Sequence, residues 1–268
     1  MDLKNKIVLI TGATDGIGKQ TAIDAARKGA QVIIHGRDDE RILKTLKEIR
    51  EINEDVYAVK ADFCDLSQVV EAAKDINDNF EKIDILFNNA AEFLPKRKMT
   101  NDGFERTFQV NYLAQVLFTE QLISKIKDTE GSRILNVTSM IHSSAIDFNN
   151  LQGEKSYTGS NAYSLSKMLN ILHTYKLGRM LEGNPVNINC LHPGVIETKL
   201  LNAAWSGGMP VSEGAATMIY AAESEATEGV SGLYLENRRP MQSNPVTYDV
   251  EVQDKLYDVS TEMVKKFL

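Results

Sequence analysis

The sequence predicts one α/β domain, a doubly wound, mostly parallel sheet of seven strands with helices on both faces. Short apolar runs rich in β-branched residues alternate with longer segments whose apolar residues recur three and four positions apart. This alternation is typical of right-handed strand–helix–strand units. No repeat, low-complexity tract or flexible linker divides the 268 residues, so we expect a single domain over residues 1–268.

The composition excludes several classes of protein. A chain with 43% hydrophobic and 25% charged residues is neither collagen-like nor disordered. The net charge is −7 and the one short basic run is Lys96–Lys98, so we expect no nucleic acid as a partner. Cys64 and Cys190 have no metal-ligand companions nearby, which predicts reduced thiols, no metal site and a cytoplasmic location. The apolar run Ile7–Ile10 is too short for a signal peptide or a membrane anchor.

The elements follow one another along the whole chain. The predicted strands are Ile7–Thr11, Gln31–His35, Val56–Lys60, Ile83–Asn88, Arg133–Thr138, Val186–Leu191 and Gly232–Glu236. The predicted helices are Gly18–Lys28, Asp39–Ile52, Ser67–Phe80, Thr107–Lys127 and Tyr163–Leu181. Residues 143–161 and 199–211 form longer connections that are polar or contain glycine, and we expect these two loops to bind the substrate.

A glycine-rich turn joins the first strand to the first helix. Glycine lets the backbone approach a pyrophosphate closely, and the free N–H groups and positive dipole end of a helix attract anions. The alternative, an ordinary tight turn, stays open for this turn taken by itself. The residues predicted here to bind a dinucleotide are Thr11, Gly12, Gly16, Ile17 and Gly18.

The end of the second strand predicts which dinucleotide binds. NAD enzymes carry an acidic residue there, whereas a basic residue suits the 2′-phosphate of NADP. This chain has Gly36 followed by Arg37, which favours NADP(H) over NAD(H); the alternative for Arg37 is a solvated surface charge. Further cofactor contacts are predicted after the third and fourth strands, at Asp62, Phe63, Asn89 and Ala90.

A tyrosine and a lysine lie four residues apart and therefore on one face of the predicted fifth helix. An ammonium at Lys167 favours the phenolate of Tyr163 and lowers its pKa. A shift of about 3 units needs roughly 4 kcal/mol, which the lysine could supply together with a cationic nicotinamide ring. The opposite face is apolar and has to be covered by another helix or by another subunit; it consists of Leu165, Met168, Leu169 and Leu172.

Three further features accompany this pair. Ser139 follows the fifth strand, and strand ends are where open α/β sheets bind ligands. Asn111 lies in a helical pattern that asparagine disfavours, which points weakly to function. After the sixth strand a turn suited to a carboxamide is predicted to bind the cofactor through Pro193, Gly194, Ile196 and Thr198, whereas His192 is interpreted as structural.

Taken together, these motifs resemble the short-chain dehydrogenase/reductase family in order and spacing. The matching motifs are Thr11-Gly12-x-x-x-Gly16-Ile17-Gly18, Asn88-Asn89-Ala90, Asn111, Ser139, Tyr163-x-x-x-Lys167 and Pro193-Gly194. In detail the chain is most similar to the retinol-dehydrogenase-like branch, through Asp102–Phe104, Asn111–Leu113, Ser139–His142 and Leu191–Gly194. The resemblance implies a Rossmann-type domain.

The resemblance also implies roles for the predicted catalytic residues. Tyr163 would give a proton to a carbonyl oxygen in reduction, or take one in oxidation. Lys167 would bind the nicotinamide ribose, Ser139 would orient the substrate oxygen and Asn111 would hold a proton-relay water. Subunits would pair through helices into a homodimer or homotetramer. Unlike many retinoid members, this chain starts its first strand by about residue 7, so we expect no membrane anchor.

We therefore expect an NADP(H)-dependent carbonyl reductase or alcohol dehydrogenase with a small-molecule substrate. A dinucleotide-sensing regulatory protein on the same fold is the alternative from another class, because a fold does not determine function. The complete set of asparagine, serine, tyrosine and lysine argues against it. A sugar-nucleotide epimerase is a third possibility, but it usually needs a longer C-terminal substrate domain.

Overall fold

A computed structural model describes residues 1–268 and arranges eight strands in one sheet. The strands are β1 (Ile7–Ile10), β2 (Gln31–Gly36), β3 (Val56–Lys60), β4 (Ile85–Asn88), β5 (Arg133–Val137), β6 (Asn187–Leu191), β7 (Tyr234–Glu236) and β8 (Arg239–Met241). Their order is β3-β2-β1-β4-β5-β6-β7-β8, and all pairs except the last are parallel. The order reverses direction between β1 and β4, which opens a crevice at the carboxyl ends of these strands.

Helices cover both faces of the sheet. They are α1 (Gly16–Arg27), α2 (Asp39–Arg50), α3 (Leu66–Asn79), α4 (Arg106–Phe108), α5 (Ala114–Lys127), α6 (Gly159–Met180), α7 (Lys199–Asn202), α8 (Val211–Glu223) and α9 (Val250–Val264). The two sides of β1 show why: Val8 and Ile10 belong to the core beneath α1 and α8, whereas Leu9 belongs to the core beneath α3, α5 and α6. A strand buried on both faces is apolar throughout, as predicted for a parallel sheet.

The strand count differs from the prediction by one. The eighth strand, β8, is a three-residue antiparallel edge strand joined to β7 by a tight turn in which Asn237 and Arg238 adopt positive φ values of 52° and 60°. Arginine is not a typical residue for such a turn, and Pro240 lies within the strand. The local sequence therefore gives little sign of this hairpin.

The helices also depart from the prediction at several places. The segment predicted as one helix over Thr107–Lys127 consists of α4 and α5 joined by a wide π-helical turn over Gln109–Leu113. The helices α7, α8 and α9 were not predicted. No helix of the chain has both the length and the apolar character that crossing a membrane requires.

The C-terminal helix α9 covers the apolar face of α6. Leu256 belongs to the same buried cluster as Leu169 and Leu172. At the edges of this contact the Ser260 hydroxyl bonds to Tyr112 at 2.8 Å, and Asp254 accepts a hydrogen bond from the Lys176 ammonium at 2.8 Å. The face that was expected to need another helix or another subunit is thus covered within the chain.

Candidate active site

One large cleft lies where the sheet order reverses. Its volume is about 1210 Å³, and it is lined by the glycine turn, the ends of the parallel strands, the first turns of α6, and α7. Of the residues predicted to bind the cofactor or to take part in catalysis, all line this cleft except Thr11 and Asn111.

The glycine turn has the geometry that a phosphate site requires. Gly12 and Gly16 have φ values of +65° and +53°, and a Cβ at Gly18 would lie 2.5 Å from the Gly12 carbonyl oxygen. Asp15 caps α1 by accepting a hydrogen bond from the Gly16 amide at 2.9 Å, and its carboxylate pairs with Lys199 at 2.6 Å. Burial opposes ionisation of Asp15, but these two hydrogen bonds outweigh it and lower the pKa. The Asp15 carboxylate occupies the Gly16 amide, but no acidic residue follows in the first turn of α1, so the remaining N–H groups at this helix end can attract an anion.

Thr11 is buried beneath the turn and does not reach the cleft. Its hydroxyl oxygen accepts hydrogen bonds from the Asn89 and Ala90 amides at 2.8 and 3.0 Å. The Asn89 side chain in turn donates to the Thr11 carbonyl at 2.8 Å. Thr11 therefore joins the loops after β1 and β4 from beneath the glycine turn, and its contact with the cofactor stays a prediction.

A histidine that sequence reasoning overlooked ties this turn to the next loop. His35 Nδ1 accepts the Gly12 amide hydrogen at 3.1 Å, and Nε2 donates to the Ala61 carbonyl at 3.0 Å. Burial lowers the pKa of His35 to about 4, so the ring is neutral. Phe63 stacks on this ring with centroids 4.3 Å apart and is only 3% exposed. The ring of Phe63 is thus held under the loop, and the predicted contact of this residue with the cofactor stays a prediction.

Arg37 lies in the cleft with more than half of its side chain exposed. Its guanidinium is 3.9 Å from the Asp62 carboxylate and 3.7 Å from that of Glu92. A second arginine, Arg41, lines the same part of the cleft and was not predicted. A Cβ at Gly36 would overlap the Thr14 methyl group, so the position where an acidic residue would read the ribose of NAD has room only for glycine.

Tyr163 and Lys167 face the cleft from α6, as their spacing predicts. The Lys167 ammonium donates to the Val137 carbonyl at 2.9 Å and lies 5.6 Å from the centre of the Tyr163 ring. Burial raises the pKa of Tyr163 to about 12, a shift that Ser139 partly opposes, and burial lowers the pKa of Lys167 to about 8. The direction is opposite to the acidification expected from the lysine, because burial raises the pKa of Tyr163 and the hydrogen bond to Ser139 opposes it only in part.

Ser139 lies beside this pair at the end of β5. Its Oγ accepts a hydrogen bond from the Ile141 amide at 3.1 Å, which leaves the hydroxyl hydrogen free to point elsewhere. The preceding residue, Thr138, donates its hydroxyl to the Lys167 carbonyl at 2.8 Å and so joins β5 to α6. The serine hydroxyl and the phenol are thereby presented on the same side of the cleft.

Asn111 lies in the π-helical turn and is fully buried. Its Oδ1 accepts from the Glu92 amide at 2.8 Å, and its Nδ2 donates to the Glu92 carbonyl at 2.9 Å. Its own carbonyl accepts hydrogen bonds from the Gln115 and Asn170 side chains at 2.9 and 3.1 Å. Both ends of the Asn111 side-chain amide bind the loop after β4 and position that loop against α6. The relay water that the resemblance implies for Asn111 stays a prediction.

The turn after β6 closes the cleft opposite the glycine turn. Gly194 has a φ of +104°, and a Cβ there would lie 2.7 Å from the Met209 methyl carbon. Thr198 caps α7 by accepting from the Leu201 amide at 3.2 Å, and its methyl group faces Gly16 across the cleft. These contacts place α7 at the opening of the cleft.

The two predicted substrate loops differ in their position. The loop over residues 199–211 lies at the cleft through Trp205. The centre of the Trp205 ring is 5.9 Å from that of Tyr163 and 5.4 Å from that of Phe93. No residue of 143–161 lines the cleft. That loop packs instead on the segment after β4, where the Tyr157 hydroxyl donates to the Leu94 carbonyl at 3.1 Å. Its expected part in substrate binding stays a prediction.

Comparison with known proteins gives the same family throughout. The short chain dehydrogenase family profile matches residues 6–207. The chain is 37% identical to retinol dehydrogenase 13 of Mus musculus, over 98% of this chain and 84% of that protein, and 33% identical to human polyprenol dehydrogenase, over 97% and 85%. A short chain dehydrogenase from Burkholderia cenocepacia, crystallised with NADP, is 26% identical with a TM-score of 0.71, over 88% of this chain and 97% of that one.

Proposed function

The chain belongs to the short-chain dehydrogenase family of oxidoreductases, in its retinol-dehydrogenase-like branch, and from this premise we propose that it is an NADP(H)-dependent enzyme interconverting a carbonyl and an alcohol. The observation that carries the proposal is the cleft itself, which brings Ser139, Tyr163 and Lys167 beside a glycine turn with a helix N-terminus. A regulatory dinucleotide sensor would need the turn but not the three side chains.

The residues of the cleft fit a nicotinamide dinucleotide. The turn at Gly12, Gly16 and Gly18 would hold the pyrophosphate, since a side chain at Gly18 would collide with the backbone. Gly194 and Thr198 would hold the nicotinamide end. When bound, the dinucleotide supplies or accepts the hydride, and the protein handles the proton.

Tyr163 is the proposed proton donor in carbonyl reduction. With a pKa raised to about 12 by burial, the phenol is protonated at neutral pH and has a proton to give to the substrate oxygen. Ser139 would donate its free hydroxyl hydrogen to the same oxygen and hold it beside the phenol. Lys167, with a pKa of about 8, is mostly charged at pH 7 and would stabilise the phenolate that remains.

The arginines support a preference for NADP(H). Arg37 and Arg41 place two permanent positive charges at the end of the cleft where the adenosine ribose would lie, and Gly36 leaves no room for a ribose-binding carboxylate. The structural relative from Burkholderia cenocepacia was crystallised with NADP.

We propose that the substrate is an elongated apolar aldehyde or alcohol. Phe93 and Trp205 border the phenol, and Met140 and Leu201 extend the apolar lining of the cleft. The curated relatives named above are a retinol dehydrogenase and a polyprenol dehydrogenase.

The assembly and the cellular location also belong to this proposal. The predicted homodimer or homotetramer would have to pair through a surface other than the apolar face of α6, because α9 covers that face. A cytoplasmic location remains a prediction from cysteine usage.

The deciding experiment replaces Tyr163 by phenylalanine. Tyr163→Phe should lower kcat for aldehyde reduction by at least about 100-fold, the usual contribution of a general acid, while NADPH binding measured by fluorescence titration stays unchanged. Retinal and shorter aldehydes are the probes, with nicotinamide absorbance as the readout. Tyr220→Phe, on α8 away from the cleft, is the matched control and should be fully active. Turnover of Tyr163→Phe close to wild type would contradict the assignment.

A further inference from the structure

His142 connects the catalytic serine to the C-terminal part of the chain. Its Nε2 lies 3.1 Å from the Asn244 amide nitrogen, and its Nδ1 lies 2.9 Å from the Ser139 carbonyl oxygen. A backbone N–H can only donate and a carbonyl can only accept, so Nε2 is the acceptor and Nδ1 carries the hydrogen. The two contacts therefore define one neutral tautomer that bridges Asn244 and Ser139.

The same segment reaches the helix that carries Tyr163. The Asn244 side chain donates to the Ser143 carbonyl at 3.2 Å, and the Ser143 amide donates to the Ser164 carbonyl at 3.0 Å. Ser164 is the residue after Tyr163. The turn that follows Ser139 is thus tied on one side to Asn244 and on the other to the start of the catalytic helix.

Residues 243–248, which we call the clamp, are themselves firmly held. The Ser243 hydroxyl bonds to the Tyr175 hydroxyl of α6 and to Thr247, both at 2.7 Å, and the Tyr248 hydroxyl accepts the Ser243 amide hydrogen at 3.1 Å. The Tyr175 and Tyr248 rings stack with centroids 5.2 Å apart. The clamp therefore fixes the position of the Asn244 amide, which donates to His142 Nε2. It lies beyond residue 207, where the match to the family profile ends.

We propose that His142 is a positioning residue, which the clamp holds so that it fixes Ser139 relative to Tyr163. The inference rests on the proposed function. The Ser139 Oγ accepts a hydrogen bond from the Ile141 amide, and the Ser139 carbonyl accepts one from His142 Nδ1. Both the side chain and the backbone of Ser139 are therefore restrained. A misplacement of about 1 Å between reacting groups costs up to about 100-fold in rate. His142 does not line the cleft, so its effect would pass through the serine.

Two substitutions of His142 separate its two contacts. Asparagine can place a side-chain N–H near the position of Nδ1, whereas phenylalanine keeps the ring packed against Tyr234, 5.5 Å away, without any polar atom. His142→Phe should lower kcat about 10- to 100-fold and leave KM for NADPH unchanged, and His142→Asn should recover most of the loss. Equal losses in both variants would overturn the proposal.

A second pair of variants tests the clamp without touching the histidine. Asn244 has a φ of −56°, which suits proline, so Asn244→Pro removes the N–H donor with little strain on that residue. Asn244→Ala is the matched control, because it loses the side chain but keeps the N–H. We expect Asn244→Pro to behave like His142→Asn, since both variants lose the contact between residue 142 and the amide of residue 244 but keep the one to Ser139. Asn244→Ala, which loses only the bond to Ser143, should lose less; no difference between the two Asn244 variants would count against the clamp.

The final measurement asks whether His142 acts through the serine. Wild type and Ser139→Ala come first: turnover by the wild type together with a slow Ser139→Ala establishes the proposed function independently of His142. Adding His142→Phe to Ser139→Ala should then cause no further loss in kcat, since residues that act as a unit are not additive. A full additional loss would refute the positioning role while leaving the proposed function intact. A wild type without turnover would refute both.

Discussion

Arg37 is the side chain that we propose to bind the 2′-phosphate of NADP(H). We expect Arg37→Ala to raise KM for NADPH about 10- to 100-fold, because a hydrogen bond to a charged group contributes about 1.5–3 kcal/mol. KM for NADH should hardly change, since NADH has no 2′-phosphate. Steady-state kinetics with one aldehyde, for wild type and Arg37→Ala, measure KM for NADPH and for NADH.

The matched control for this substitution is Arg50→Ala, at the exposed end of α2 outside the cleft. It removes the same charge from the chain without removing a cofactor contact, so both KM values should stay unchanged. Parallel increases in KM for NADPH and NADH in Arg37→Ala would contradict the assignment, because they would mean that Arg37 supports the shared part of the dinucleotide.

Individual residues show which parts of the candidate site could be predicted from the sequence. Residue type and spacing were sufficient to predict that Tyr163, Lys167 and the glycines lie together at one cleft, since this placement depends on local geometry. They were insufficient for Thr11 and Asn111, which belong to the motifs but lie below the cleft surface. Whether a motif residue lies at the cleft or beneath it depends on contacts across the sheet, such as the hydrogen bond that the Ala90 amide donates to the Thr11 hydroxyl.

Among the elements, α7 and the residues that follow it decide what can approach the phenol. The Trp205 ring packs edge-on against Phe93 at 5.4 Å and near Tyr163 at 5.9 Å. We expect Trp205→Ala to raise KM for retinal about 3- to 10-fold, the range given by the loss of one aromatic contact, with KM for NADPH unchanged. Trp205→Phe, the control, should keep most of the affinity. A larger effect on NADPH than on retinal would mean that α7 covers the cofactor alone.

The elements differ in how visible they are in the sequence. Parallel strands buried on both faces are continuous apolar runs, and seven of the eight strands were predicted from them. The helix α9 had usable signals, namely Asp249 as its cap and apolar residues at Val252, Leu256 and Val259. The strand β8 had none, because all three of its residues are exposed and paired only at the sheet edge. The π-helical turn interrupts a helix whose apolar pattern continues through it.

At the scale of the whole molecule, residues from the C-terminal part of the chain support the cleft that the glycine turn and α6 line. The family profile ends at residue 207, but α8 packs on α1 behind the glycine turn, the clamp holds the turn after β5, and α9 covers α6. The face of α6 opposite the catalytic pair therefore needs no second subunit for its burial. The glycine turn, α6 and the C-terminal segment are therefore packed into one unit.

Three buried histidines make this unit sensitive to acid. Burial lowers the pKa of His35, His173 and His192 from 6.5 to about 4 each. Between these values the unfolded chain binds protons that the folded chain does not, so the free energy of unfolding falls as the pH is lowered from about 6.5 towards 4. At pH 5 each histidine should cost about 2 kcal/mol relative to pH 7, a large part of the roughly 5–15 kcal/mol that stabilises a typical domain.

Urea unfolding at pH 7 and pH 5 measures this loss, and His173→Phe tests its origin. The His173 ring lies between Tyr112 and Tyr257, and its Nε2 has no hydrogen-bond partner, so phenylalanine can replace it without leaving a polar group unpaired. The variant should be about as stable as wild type at pH 7 and should lose about 2 kcal/mol less on going to pH 5. An unchanged difference between the two pH values would show that protonation of His173 is not part of acid unfolding.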